Sequence, residues 1–178
     1  MKQNNKNRGF GLLEVVVAAG ILIIVIGAST ALSRMAVRTT VISLDRIQAY
    51  DLSQQAMEEV RTIRDTNWLA HDNWNTGLEL AAGNQKRGPL YLKYQSNQKK
   101  WSLANGDEKI TLNNIEYTRT IYIDKADNEI NNSLSRVGID NSTSNNVIKI
   151  IVNVSWQEYG QTWSNEAVTY LSNWTKEF

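Results

Sequence analysis

Residues 10–32 form a run of 23 in which Glu14 is the only charged side chain. At ~1.5 Å per residue a helix of that length spans about 34 Å, enough to cross a hydrocarbon core of ~30 Å. Lys2, Lys6 and Arg8 precede it with no acid beside them, the flank expected where the amino end stays in the cytoplasm. A plain membrane anchor and a secretory signal peptide both predict those features. Neither predicts Glu14, because a carboxylate at the centre of a spanning helix costs about 2.5–3.5 kcal/mol, and less toward the end where Glu14 lies. A charge kept at such a cost usually has a partner. Small residues suited to signal peptidase occur at Ala31 and Ser33, yet the apolar run before them exceeds the roughly 7–15 residues of a signal peptide.

The octet Arg8-Gly9-Phe10-Gly11-Leu12-Leu13-Glu14-Val15 resembles the signature of type IV prepilins and pseudopilins: a basic residue, glycine, phenylalanine, and a glutamate four residues on, entering an apolar helix. The resemblance implies that a prepilin peptidase cuts between Gly9 and Phe10 on the cytoplasmic side. Residues 1–9 would leave as a leader, and the new amino terminus at Phe10 would be methylated. Glycine before the cut offers no side chain to obstruct the protease. The resemblance further implies that Glu14 faces the ammonium of the first residue of an incoming or neighbouring subunit, inside a filament core that excludes water. There an unpaired acid is expensive, whereas a paired one sets the axial register between helices. Gly11 departs from the small hydroxyl residue more usual at its position, and no proline interrupts the run. Gly20 and Gly27 either loosen the helix, each by roughly 1 kcal/mol relative to alanine, or allow close helix packing.

Beyond the apolar run, Leu44, Ile47, Leu52, Ala56, Val60 and Ile63 recur mostly every three or four residues with charges between them, the pattern of an amphipathic helix. No glycine or proline lies between Gly27 and Gly77, so one helix from Phe10 to about Asp65, ~84 Å long, is expected. Its parts are a transmembrane and filament-core half at 10–33 and an amphipathic continuation at 34–66. A β-rich head follows at 67–178. Within it, 67–88 reads as an irregular connector and 140–146 as a polar loop, while strands are expected at 90–94, 100–103, 115–123, 147–156 and 167–174. Ile115, Tyr117, Ile121 and Ile123 share one side of the third strand, and Ile148 through Trp156 alternate on the fourth. Tyr159-Gly160-Gln161 marks the turn of a final hairpin. The fold class is α+β, a long helix packed on four or five antiparallel strands. The family implies the same layout. The ending around Val154, Trp156, Val168 and Leu171, with Leu12-Leu13-Glu14-Val15, resembles minor pilins and minor pseudopilins more than major ones.

Cysteine is absent from the 178 residues, so the head relies on its apolar core rather than on disulfides. Net charge is +1, and three positives precede Gly9, which leaves −2 for the remainder. That remainder lacks the clustered cations of a nucleic-acid surface. The one histidine, His71, stands in the connector without a catalytic or metal-ligand pattern around it. Residues 124–129 hold several oxygen ligands that could surround Ca²⁺, but they lack the spacing of a known loop, so a solvated turn and no cofactor are expected there. Six tryptophans raise an adhesive reading, with Trp68, Trp74 and Trp163 expected to be exposed and Trp101, Trp156 and Trp174 in the core. Sequons at Asn131, Asn141 and Asn173 fit glycosylation or chance in an Asn-rich head.

No catalytic constellation is found, and the chain is expected to be a non-enzymatic subunit, of minor-pilin type, in a type IV pilus-like filament. A pseudopilin of a type II secretion or DNA-uptake system is the first alternative, and a plain membrane-anchored surface-binding protein the second. By resemblance its partners are the prepilin peptidase, other pilin subunits, an inner-membrane platform protein and an assembly ATPase. Its expected location is the bacterial cytoplasmic membrane, amino terminus inside and head outside, then the filament.

Overall fold

The computed structural model describes residues 11–80, 86–126 and 147–173. The element order is one helix and then six strands. Helix α1 runs without interruption over Leu12–Leu69, four residues past the expected end. Its stop is made by backbone geometry rather than glycine: His71 adopts φ +57°, its N–H donates to Trp68 O at 3.0 Å, and the Asp72 N–H reaches Asn67 O at 2.9 Å. Those bonds satisfy carbonyls that the last helical turn leaves open. The lone histidine thus serves as an exposed helix cap. The chain divides into two compact units, the first ending at Leu44 and the second beginning at Asp45.

In the second unit, strands β1 (Lys86–Gln95), β2 (Lys100–Asn105), β3 (Glu108–Leu112), β4 (Ile115–Lys125), β5 (Val147–Glu158) and β6 (Gln161–Ser172) build one antiparallel sheet. Its order is β2-β1-β4-β5-β6, with β3 paired to β4 alone. One edge of β4 is therefore shared: β3 takes residues 115–119 and β1 meets Ile121, Ile123 and Asp124. The expected four or five strands become six, because the short β3, which is not among the expected strands, pairs with β4. The residues before 90 also correct the expected connector, since Lys86 and Arg87 already pair with β4. The register shifts between Arg87 and Leu90, where Gly88 has φ +138° and a Cβ would lie 2.6 Å from Tyr122 Cδ1 and 2.8 Å from Ile121 O. Only glycine fits that approach.

Two hairpins close through residue pairs with positive φ, Asn113-Asn114 and Tyr159-Gly160, the backbone that matches strand twist. The final hairpin pairs from Glu158↔Gln161 to Val147↔Ser172, so β6 begins six residues before the expected 167. The expected ends at Phe10 and Trp174, and the loop at 140–146, lie outside the described residues.

The α1 face buried on the sheet is Asp45, Ala49, Leu52, Ser53, Ala56, Met57, Val60 and Ile63. Leu44 and Ile47, expected on that face, are instead 54% and 57% exposed, because stepping back from Ala49 by a full turn reaches Asp45. Asn165 of β6 donates to Ser53 Oγ at 3.0 Å, and Ser53 Oγ donates to Ala49 O at 2.9 Å. Facing them, Tyr117, Ile121, Ile123, Ile150, Val152 and Val154 are fully buried. Trp156 joins this core as expected, whereas Trp74 is buried too, at 9% exposure, contrary to expectation. Trp163 is half-buried, with the Arg46 guanidinium 4.8 Å above its ring. Trp68 is exposed, Trp101 half-buried, and Trp174 outside the described residues.

A cation occupies the apolar register of β4. Arg119 lies between Tyr117 and Ile121 on the buried face and is 3% exposed. Its Nη2 and Nε donate to Glu108 Oε2 at 2.6 and 3.0 Å, and its Nη1 donates to Leu52 O at 3.0 Å. One side chain thus ties β3, β4 and α1 together. Nearer the start of the unit, Tyr117 Oη donates to Gln48 Oε1 at 3.0 Å and to Asp45 Oδ1 at 3.4 Å. Burial, reinforced by Asp45, pushes the phenol up to about 12, so it remains a donor.

Two consequences are measurable by urea unfolding of the micelle-bound chain. Arg119→Met should lose about 2–3 kcal/mol, the scale of hydrogen bonds made by a buried ion; an unchanged midpoint would remove Arg119 from the account of how β3 is held. Glu59, whose carboxyl is pushed up chiefly by burial and lowered less by the Gln55 amide and Arg119, behaves in the opposite sense. Its folded form binds a proton more readily than the unfolded one, so the ionised group costs stability above its folded pKa and the cost fades as pH falls. Glu59→Gln should stabilise the head at neutral pH, with the difference closing toward about pH 4.

Candidate functional site

Every residue from Gly11 to Thr40 is exposed to solvent along α1. The apolar ones point in all directions, from Leu12 at 84% exposure to Leu32 at 72%. This part of the helix is long and apolar enough to cross a membrane. A helix apolar all round is stable only when lipid or other helices cover it. Each Leu, Ile or Val so covered contributes about 1.5–3 kcal/mol, so the run as a whole outweighs the few kcal/mol that Glu14 costs. The hydroxyls within and beyond it are satisfied inside the helix. Thr30 and Ser33 donate to Ile26 O and Ser29 O at 2.8 and 2.9 Å, and Thr39, Thr40 and Ser43 repeat the pattern. Such back-bonding gives these five hydroxyls an acceptor within the helix.

Glu14 sits in the first turn of α1. Its N–H donates to Gly11 O at 2.9 Å, which starts the helix two residues earlier. An acid in this turn opposes the positive end of the helix dipole. Among the described residues Glu14 makes no ion pair. Gly9 and Phe10 lie outside the described residues. A Cβ at Gly20 or Gly27 would meet nothing within 4 Å, so no contact among the described residues accounts for either glycine.

Of the residues considered for Ca²⁺, Asp124 is described and its Oδ1 accepts the Lys125 N–H at 2.8 Å. Asp127, Asn128 and Glu129 lie outside the described residues, as do the sequons at Asn131 and Asn141. Among the described residues no three His, Cys, Asp or Glu side chains gather as a metal site would need.

Residues 4–30 match the family model described as the prokaryotic N-terminal methylation motif. The chain has the amino terminus of a type IV prepilin or pseudopilin. No curated protein and no solved structure matches it. The matched residues cover both the octet and most of the apolar run, so the motif and the helix surface that needs covering are the same stretch of chain. A prepilin amino terminus of this kind implies processing by prepilin peptidase and assembly with other pilin subunits, and it fits anchoring in a bacterial membrane.

The sequence alone missed Arg119, although a signal existed. Ile115, Tyr117, Ile121 and Ile123 alternate with one gap at 119, and the gap is where the buried cation lies. The capping role of His71 had no comparable signal, since it depends on a positive φ that only the folded chain displays.

Proposed function

We propose that this prepilin is a structural subunit, of minor-pilin type, in a type IV pilus-like filament. The observation that carries the reading is the octet Arg8–Val15, continued in sequence by a helix whose apolar surface has no cover among the described residues. The proposed pathway starts in the bacterial cytoplasmic membrane with the basic leader inside and the head outside. Cleavage between Gly9 and Phe10 leaves the helix as anchor, and methylation follows at Phe10. An assembly ATPase and a platform protein then move the anchored chain from lipid into a bundle of like helices, where apolar contacts replace lipid. Glu14 is the specific element in an otherwise greasy surface. Pairing with the amino-terminal ammonium of another subunit would neutralise both charges and fix one axial register out of the many that apolar contacts alone allow. The subunit role is architectural rather than enzymatic.

Mass spectrometry of the protein recovered from membranes should give a mature chain starting at N-methylated Phe10. An intact Met1 would indicate a plain anchor, and a start near Arg34 a secreted domain; either overturns the proposal. Glu14→Ala should insert into the membrane as well as the parent chain. Its incorporation into filaments should fall more than about tenfold, because stranding a buried charge costs on the order of 3–5 kcal/mol. Unchanged incorporation would remove the pairing role while leaving processing untouched.

A further inference from the structure

The second unit holds a recess of about 330 Å³ that plays no part in the assembly proposal. It opens among the last turns of α1, the turn around Thr76 and Gly77, and the β1–β2 hairpin. Its apolar lining is Trp101, Leu103 and the buried Ile63. Tyr94 braces Trp101 edge-on, with ring centroids 5.1 Å apart and planes at 63°. An aromatic surface held in this way can take a flat ring at little entropic cost.

The rim supplies polar groups whose orientations are set. Asn67 spends its Nδ2 on Trp74 O at 3.2 Å and Thr76 O at 2.8 Å, which fixes the amide plane and leaves its carbonyl oxygen as an acceptor. Arg87 donates Nη1 to two backbone carbonyls, Gly77 O at 2.9 Å and Glu79 O at 3.2 Å. No carboxylate among the described residues pairs with it, and the same holds for Lys100. Gln98 adds a second amide, and none of the residues lining the recess is an acid. The site therefore combines an aromatic side chain, amide groups that suit vicinal hydroxyls, and two cations that make no ion pair among the described residues, with the Glu79 carboxylate beside it held by the Gly77 N–H at 2.8 Å. Its volume lies at the small end of ligand pockets.

We infer that this recess binds a sugar ring carrying a carboxylate, a hexuronate unit of an extracellular acidic polysaccharide. The pyranose lies on Trp101, its hydroxyls meet Asn67 and Gln98, and its carboxylate meets Arg87 and Lys100. Charge-assisted bonds of that kind separate an acidic from a neutral sugar.

The full chain in micelles, labelled with ¹⁵N in its indoles, is titrated with glucuronate. The Trp101 indole cross-peak, identified by its absence in Trp101→Phe, should move saturably. Glucose should bind about tenfold more weakly, the loss of roughly one charge-assisted hydrogen bond, and acetate, which lacks the ring, should leave the peak in place. Lys100→Gln and Arg87→Gln should each weaken glucuronate binding by a factor of about three to ten, with the other indole peaks unmoved as the check on folding. Should Arg87→Gln disturb the turn it holds, Lys100→Gln carries the test alone. A Trp101 peak that stays still, responds equally to acetate, responds more strongly to adenosine monophosphate, or keeps its affinity in Lys100→Gln overturns the assignment. None of these outcomes depends on where the leader is cut.

Discussion

From Leu12 to Leu32 the helix presents apolar side chains in every direction, and among the described residues the chain offers nothing to cover them. Leaving such a surface in water costs tens of kcal/mol by order of magnitude, so the segment favours an environment that covers it. Lipid and a bundle of like helices are both adequate covers, and the side chains hardly distinguish them. Moving from one to the other is therefore nearly neutral in apolar burial. A small number of directional contacts can decide where the helix stops, and Glu14 is the side chain in the run able to make a strong one.

The distal part of the same helix solves a different problem. From Asp45 onward it must bury one face on a sheet, and it does so with small residues at the centre and larger ones toward Ile63. Ser53 and Asn165 add a hydrogen bond between helix and sheet. Arg119 and Tyr117 carry polar atoms into the interface, each tied to α1. Those bonds are directional, so they fix the position of the helix along the strands in a way that interchangeable apolar contacts do not. In a head without cysteine, this polar seam supplies cross-links that a disulfide would otherwise supply.

The recess beneath Asn67 follows from how α1 ends. His71 turns the chain back with a positive φ, the turn that follows places its carbonyls within reach of Asn67 and Arg87, and those two side chains are thereby set over Trp101. A helix that unwound earlier would leave the same residues without a common wall. The proposed recognition site and the proposed anchor thus use separate parts of one helix.

The processing octet, the spanning run and its single acid are local features, and local sequence was enough to read them. So were the alternating strands β4 and β5 and the turn at Tyr159-Gly160, because a period of two and a glycine in a tight turn are written into neighbouring residues. What the tertiary structure decided were matters of partnership. β3 exists because Glu108 faces Arg119 across a hairpin, and neither residue by itself signals a strand. The helix buries Asp45 and Ala49 rather than Leu44 and Ile47, because the sheet selects a face by geometry as well as by hydropathy. Trp74 is covered and Trp101 lines a recess because distant segments meet there. Periodicity records which side of an element is apolar, but the choice among several serviceable faces, and the pairing of a buried cation with its acceptors, are settled only when the elements pack.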